Sequence, residues 1–219
     1  VIHAAAVHGV RAVGVTLSPT QQEFAAKRVA ETGLADRVEI RLQDYRDVTD
    51  GPYDAISSIG MFEHVGLARL REYFERLFAL LRPEGRLLNH AISRPGPGTS
   101  GFDRHSFIHR YVFPDGELHE VGTVITAMQS LGFEVRDVES LREHYGKTLR
   151  AWVGNLEANW DRAVAAAGAA RARIWRLYMA ASALNFEANR TSVHQVLAAR
   201  PGPGGTSGMP PTRHGFVVP

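Results

Sequence analysis

Apolar and polar positions change their period several times along this chain, and each change marks an element. Residues 1–8 (VIHAAAVH) read as the last turns of a helix, with Gly9 as its C-cap. Residues 10–17 (VRAVGVTL) are rich in β-branched side chains and turn apolar toward the end, as a buried parallel strand does. Ser18-Pro19-Thr20-Gln21 then opens a helix: Ser18 suits the N-cap, Pro19 the first helical position, and Gln21 a capping box. That helix stops at Gly33. Residues 37–42 (RVEIRL) alternate, which predicts a strand with one less buried face. Residues 53–57 (YDAIS) predict a short buried strand ending in small residues. Over residues 67–81, Leu67, Leu70, Phe74, Leu77, Phe78 and Leu81 recur at helical spacing. A turn at RPEG follows, then another buried strand at residues 86–92 (RLLNHAI), with His90 near its end.

The second half is less regular. Residues 93–106 are rich in Gly and Pro and predict a mobile loop, and residues 107–116 mix aromatics with a turn. Helices are expected at 121–131, 145–159 and 171–187, and strands at 133–138 and 192–198. From residue 201 the composition (PGPGGTSGMPPTRHG) is of low complexity and predicts disorder over 201–219. Strands and helices alternate, which predicts an α/β fold with a doubly wound, mostly parallel sheet, because each parallel crossover needs its own connection.

Charged residues make up 22% and apolar residues 44%, so a folded chain is expected. The formal charge is 25 minus 23, or +2, with no long basic run, which gives a nucleic-acid role no support. Loose affinity for an anionic membrane surface stays open. There is no cysteine, hence no disulfide framework and no thiolate metal site. His105 and His109 stand at i, i+4, but no third ligand is evident, and no metal site is expected. A bacterial-type cytoplasmic enzyme fits these features, although composition alone does not single one out.

The stretch SSIGMFEHVG, residues 57–66, organises the rest. It sets Glu63 and His64 just past a strand end, where open α/β sheets bind ligands. A carboxylate there can hold a substrate, accept a proton or merely cap a helix. Three corners at strand ends, Val15-Thr16-Leu17, Gln43-Asp44-Tyr45 and Ile59-Gly60, are expected on one edge of the sheet, a surface that suits a nucleoside. The words GVTLSPTQ, SIGMFEHVG, FIHRYVFPDGEL and LREHYGKTLRAW occur in that order. With them, residues 1–200 resemble the cyclopropane-fatty-acyl-phospholipid synthases and the mycolic acid cyclopropane synthases, S-adenosylmethionine-dependent methyltransferases of the class I, Rossmann-like fold.

The resemblance implies cofactor contacts at Thr16, Leu17, Gln21, Gln43, Asp44, Tyr45 and Ile59. For Gln21 the capping box is an equal alternative. It implies a bicarbonate site made by Glu63, His90, Tyr145 and the backbone at Ile92. The bland alternatives are a core histidine bonded to backbone and a tyrosine that only packs. The implied reaction is methyl transfer to the cis double bond of an unsaturated phospholipid acyl chain, followed by ring closure. Simple methylation begins with the same cation. Residues 93–120 and 141–190 would supply lid and acyl-pocket elements. The implied partners are the lipid acyl chain and the inner membrane surface, met peripherally; a homodimer stays open.

The chain also departs from the family. A GCGWG-type loop and its strand should lie immediately before Val1, so the domain is expected to be N-terminally incomplete: a fragment, a start misassigned at a GTG codon, or a decayed relative. Family strand order would put that strand between residues 10–17 and 53–57. The family's active-site cysteine and the acidic ribose ligand are also not evident. A non-catalytic relative that keeps a lipid- or protein-binding surface is the rival reading.

Overall fold

The computed structural model describes residues 1–96, 105–114 and 116–216. The expected loop at 93–106 therefore lies outside the described residues from 97 to 104, as does Asp115 of the expected turn. The chain divides into two compact units, Val1–Gly51 and Pro52–Pro219. That boundary falls inside the single domain expected over residues 1–200.

In the first unit, α1 (Ile2–His8) ends at Gly9, whose φ of 66° is the left-handed C-cap expected of it. Strand β1 (Ala12–Thr16) pairs in parallel with β2 (Val38–Leu42), and α2 (Pro19–Glu31) connects them. Ala5, Val29 and Val38 form its small core. Strand β1 is half-buried rather than buried, because β2 is its one strand neighbour among the described residues.

The second unit holds a four-stranded sheet in the order β3-β4-β6-β5. Strand β3 (Tyr53–Ile59) runs parallel to β4 (Leu81–Ser93). Strand β6 (Ser192–Ala199) is antiparallel to both β4 and β5 (Glu134–Ser140). The sheet is thus mixed, as the fold class allows. The expectation of a buried β3 does not hold: Ala55 is exposed and Ile59 is 64% exposed, since β3 is an edge strand. The RPEG turn is real but sits inside β4, where the pairing jumps from Tyr53↔Leu81 to Ala55↔Arg86. Glu84 takes a positive φ of 65° there.

Helix α3 (Leu70–Leu80) buries Leu70, Tyr73, Phe74, Leu77 and Leu80. Leu67, assigned to that face by spacing, is exposed in a separate 3₁₀ turn, Leu67–Arg69. A short α4 (Phe107–Tyr111) and α5 (Val121–Ser130) follow. The C-terminal helices are α6 (Arg142–Ala158), α7 (Trp160–Ala167) and α8 (Ala169–Glu187), with α6 packed on α8. Low complexity predicts disorder after residue 200; instead the described residues 201–216 lie back on the sheet. Arg86 donates to the Gly208 carbonyl at 2.9 Å, Arg136 donates to that of Pro210 at 3.1 Å, and Arg213 pairs with Asp137. Side chains of the sheet, invisible to a composition argument, supply that anchoring.

Candidate active site

Gly60 and Gly66 bracket the turn that carries Glu63. Both have positive φ, 66° and 76°, which a side chain would strain. Gly60 donates its N–H to the His90 carbonyl at 3.0 Å, so the end of β3 is tied to β4. Between the two glycines, Phe62–His64 form one 3₁₀ turn. Phe62 is buried and meets the rings of Tyr73, Phe74 and His119. That anchor fixes Glu63 beside it, and the Glu63 carbonyl accepts the Glu117 N–H at 2.9 Å.

Glu63 is only 8% exposed. Its Oε1 accepts the Ile92 N–H at 2.7 Å, while its Oε2 is buried and has no hydrogen-bond partner. A buried carboxylate oxygen without a donor is costly, so this one calls for a donor from a bound molecule. The Ile92 N–H assigned to the site is thus already spent on Glu63. His90 lies two residues back along β4, on the same face as Ile92. Its Nε2 is 2.9 Å from the Tyr145 hydroxyl, and its Nδ1 is 3.2 Å from Nε2 of Gln195. Tyr145 comes from the first turns of α6 and packs on Phe186.

The structure therefore brings Glu63, Ile92, His90 and Tyr145 together. Burial pushes the Tyr145 hydroxyl up from its ordinary value, and the charge of Glu63 adds to that. Burial lowers His90, with Glu63 opposing. Sequence reasoning missed Gln195, although its place in β6 opposite His90 follows from strand pairing. It also missed the Phe113–Tyr178–Trp175 ring contacts, with centroids 5.7 and 5.5 Å apart. Trp152 and Trp175 are exposed.

In the first unit, the Thr16 hydroxyl donates to Oε1 of Gln21 at 2.9 Å and accepts the Ser18 N–H at 3.1 Å. Ser18 caps α2 by accepting the Gln21 N–H, but the reciprocal half of the capping box is not made: Thr16 takes it over. Gln43 donates to the Asp47 carbonyl, and Asp44 is engaged by Arg46 at 2.7 Å. Leu17, 72% exposed, offers an apolar surface. Tyr45 opens a 3₁₀ turn capped by Asp44. Ile59, at the end of β3, belongs to the second unit. Among the described residues no group of three or more His, Asp and Glu gathers as a metal site would.

Three buried or half-buried histidines predict the acid behaviour of the second unit. Burial holds His90, His119 and His194 below the ordinary imidazole value. The native state then binds fewer protons than the unfolded chain at mildly acid pH. Their contribution is complete above about pH 6.5 and is lost as pH falls through the lowered native values. Each histidine contributes a slope of up to about 1.4 kcal/mol per pH unit in that window. Urea midpoints should therefore be lower at about pH 5.5 than at about pH 7.5; equal midpoints would contradict this.

Residues 1–196 match the family described as mycolic acid cyclopropane synthetase. A probable fatty acid methyltransferase of Mycobacterium tuberculosis is 46% identical over 206 residues, 94% of this chain and 48% of that protein. The cyclopropane-fatty-acyl-phospholipid synthase of Escherichia coli K12 is 34% identical over 193 residues, 88% of this chain and 48% of that protein. The chain thus spans about half the length of these curated relatives. The crystal structure of the mycolic acid cyclopropane synthase CmaA1 with SAH and CTAB matches at TM-score 0.80 and 29% identity, over 90% of this chain and 72% of that one.

Proposed function

This chain belongs to the mycolic acid cyclopropane synthetase family, and from that premise we propose that the protein moves a methyl group from S-adenosylmethionine to the cis double bond of an unsaturated phospholipid acyl chain and closes a cyclopropane ring. The observation that carries the reading is the buried Glu63 carboxylate with its unpartnered Oε2, beside the His90–Tyr145 pair.

S-adenosylmethionine supplies an electrophilic sulfonium methyl. Thr16, Leu17, Gln21, Gln43, Asp44, Tyr45 and Ile59 are the residues we assign to it. Leu17 offers exposed apolar surface that a purine could cover. Asp44 would have to share its carboxylate with Arg46.

Bicarbonate would be held by Glu63, His90, Tyr145 and, through Glu63, Ile92, and it supplies a base for the proton lost from the new methyl group. The residues fit it. Oε2 of Glu63 needs a donor, and bicarbonate carries a hydroxyl. Tyr145, its pKa raised, keeps its proton and can donate to an anion. Glu63 fixes the orientation of that anion, and His90 holds the phenol in place. The Tyr145 ring also presents a π face to the developing cation. Phe113 and Tyr178 would wall the acyl chain and keep water out.

Peripheral contact with a lipid surface belongs to the same proposal; among the described residues no helix is long and apolar enough to cross a membrane. The test is incubation of the protein with methyl-labelled S-adenosylmethionine and vesicles of a cis-unsaturated phospholipid. Label should appear in a ring methylene of the acyl chain. Label in a methyl branch would reject ring closure, and no transfer would reject the function. Tyr145→Phe should slow turnover about tenfold, because the ring that faces the cation survives, and His90→Ala about a hundredfold, because the phenol loses the imidazole that holds it. Normal turnover by Tyr145→Phe would make the hydroxyl merely structural.

A further inference from the structure

We propose that Gln195 is a positioning residue: its carboxamide fixes the His90 ring in one tautomer and so leaves the Tyr145 hydroxyl free to donate into the site. The use of that hydroxyl rests on the proposed function; the tautomer does not.

The register places Gln195 of β6 directly opposite His90 of β4, so both side chains share one face of the sheet. Nε2 of Gln195 lies 3.2 Å from Nδ1 of His90, and Nε2 of His90 lies 2.9 Å from the Tyr145 oxygen. An amide NH₂ has hydrogens and no usable lone pair, so it requires a lone pair on Nδ1. Burial favours the neutral ring, which carries a single N–H. That N–H must then sit on Nε2 and donate to the Tyr145 oxygen. The phenolic hydrogen is not needed for this bond and points elsewhere. With the other tautomer the phenol would have to donate to His90 and would offer an anion nothing.

The choice of an amide matters. A carboxylate beside Nδ1 would draw the proton there and make the ring more basic, as in sites where histidine acts as the base. A carboxamide does not titrate, so His90 is kept neutral as an orienter of Tyr145. The charges that face the pair are few. Glu63 acts on His90 and favours its charged form. Tyr145 and Tyr178 both stay protonated, raised by burial. Glu139, exposed, stands opposite Gln195 on β5.

The experiment uses protein labelled with ¹⁵N-histidine, with His90→Gln to assign the His90 ring among the ten histidines. Long-range ¹H–¹⁵N spectra of the parent protein should show His90 neutral, protonated on Nε2. Gln195→Glu should move a proton to Nδ1 and raise the pKa of His90. It should also lower kcat about tenfold to a hundredfold with little change in KM for the lipid. Gln195→Leu should let the ring exchange between tautomers. Unfolding midpoints of both variants control for folding. A parent His90 protonated on Nδ1, or a Gln195→Glu ring unchanged from the parent, would overturn the tautomer. The expected spectra with parental turnover in Gln195→Glu would overturn the role of the freed hydroxyl. The expected spectra in a parent protein that transfers no methyl group would support the tautomer and count against the proposed function.

Discussion

Glu63→Gln should fold as the parent does, bind S-adenosylmethionine with the parent's affinity, and lose turnover on the order of 10²-fold or more. The side chain keeps its volume, and its remaining oxygen can still accept the Ile92 N–H that Oε1 accepts at 2.7 Å. What changes is the other arm. Oε2, buried and without a partner, becomes an NH₂, a donor where an acceptor stood. Any group held there by donating to Glu63 is now repelled, and the loss falls on proton removal rather than on methyl-donor binding. A second readout is independent of activity. The Glu63 charge raises Tyr145 and also raises His90 against its burial, so both pKa values should fall in the variant. The measurements are initial rates with labelled donor, calorimetric titration of the donor, and tyrosine absorbance against pH. Product formation at near-parental rate would remove Glu63 from the chemistry.

Much of this site was legible in the chain, and the reasons are local. Glu63 stood out because a strand, two glycines and an amphipathic helix surround it, and each of those signals spans only a few residues. His90 and Tyr145 were placed by family resemblance, since nothing about a lone strand histidine announces that a tyrosine 55 residues later will meet it. Gln195 needed the β4–β6 register, which is a long-range fact that no periodicity carries. The same limit explains β3. Its apolar composition argued for burial, but burial depends on having neighbours on both edges, and β3 has one among the described residues. The tail was misread for a related cause: glycine and proline argue against a core of its own, yet carbonyls at Gly208 and Pro210 are held by arginines of β4 and β5.

Tyr73 was passed over in favour of its leucine and phenylalanine neighbours, and it should prove one of the costliest positions to change. The side chain is fully buried at 0% exposure. Its ring meets Phe74 at 4.8 Å and Phe62 at 5.7 Å. Its hydroxyl lies 2.6 Å from the Ser58 hydroxyl and 3.1 Å from Oδ1 of Asn89. Ser58 and Asn89 are register partners on β3 and β4, so one phenol clamps both strands just before Gly60 and His90. Tyr73→Phe keeps the packing but takes a donor from Asn89, which is 1% exposed, and should cost about 1–3 kcal/mol. Tyr73→Ala also empties the space between α3 and the sheet and should cost about 3–5 kcal/mol or more. Against a typical total of roughly 5–15 kcal/mol, the alanine variant should be partly unfolded at moderate temperature. Turnover should drop in the phenylalanine variant too, because the clamp sets where Glu63 and His90 leave their strands. Urea unfolding of the three proteins decides the stability claim. Coincident midpoints for Tyr73→Phe and the parent would show that the phenol's two hydrogen bonds contribute nothing to holding β3 and β4 together.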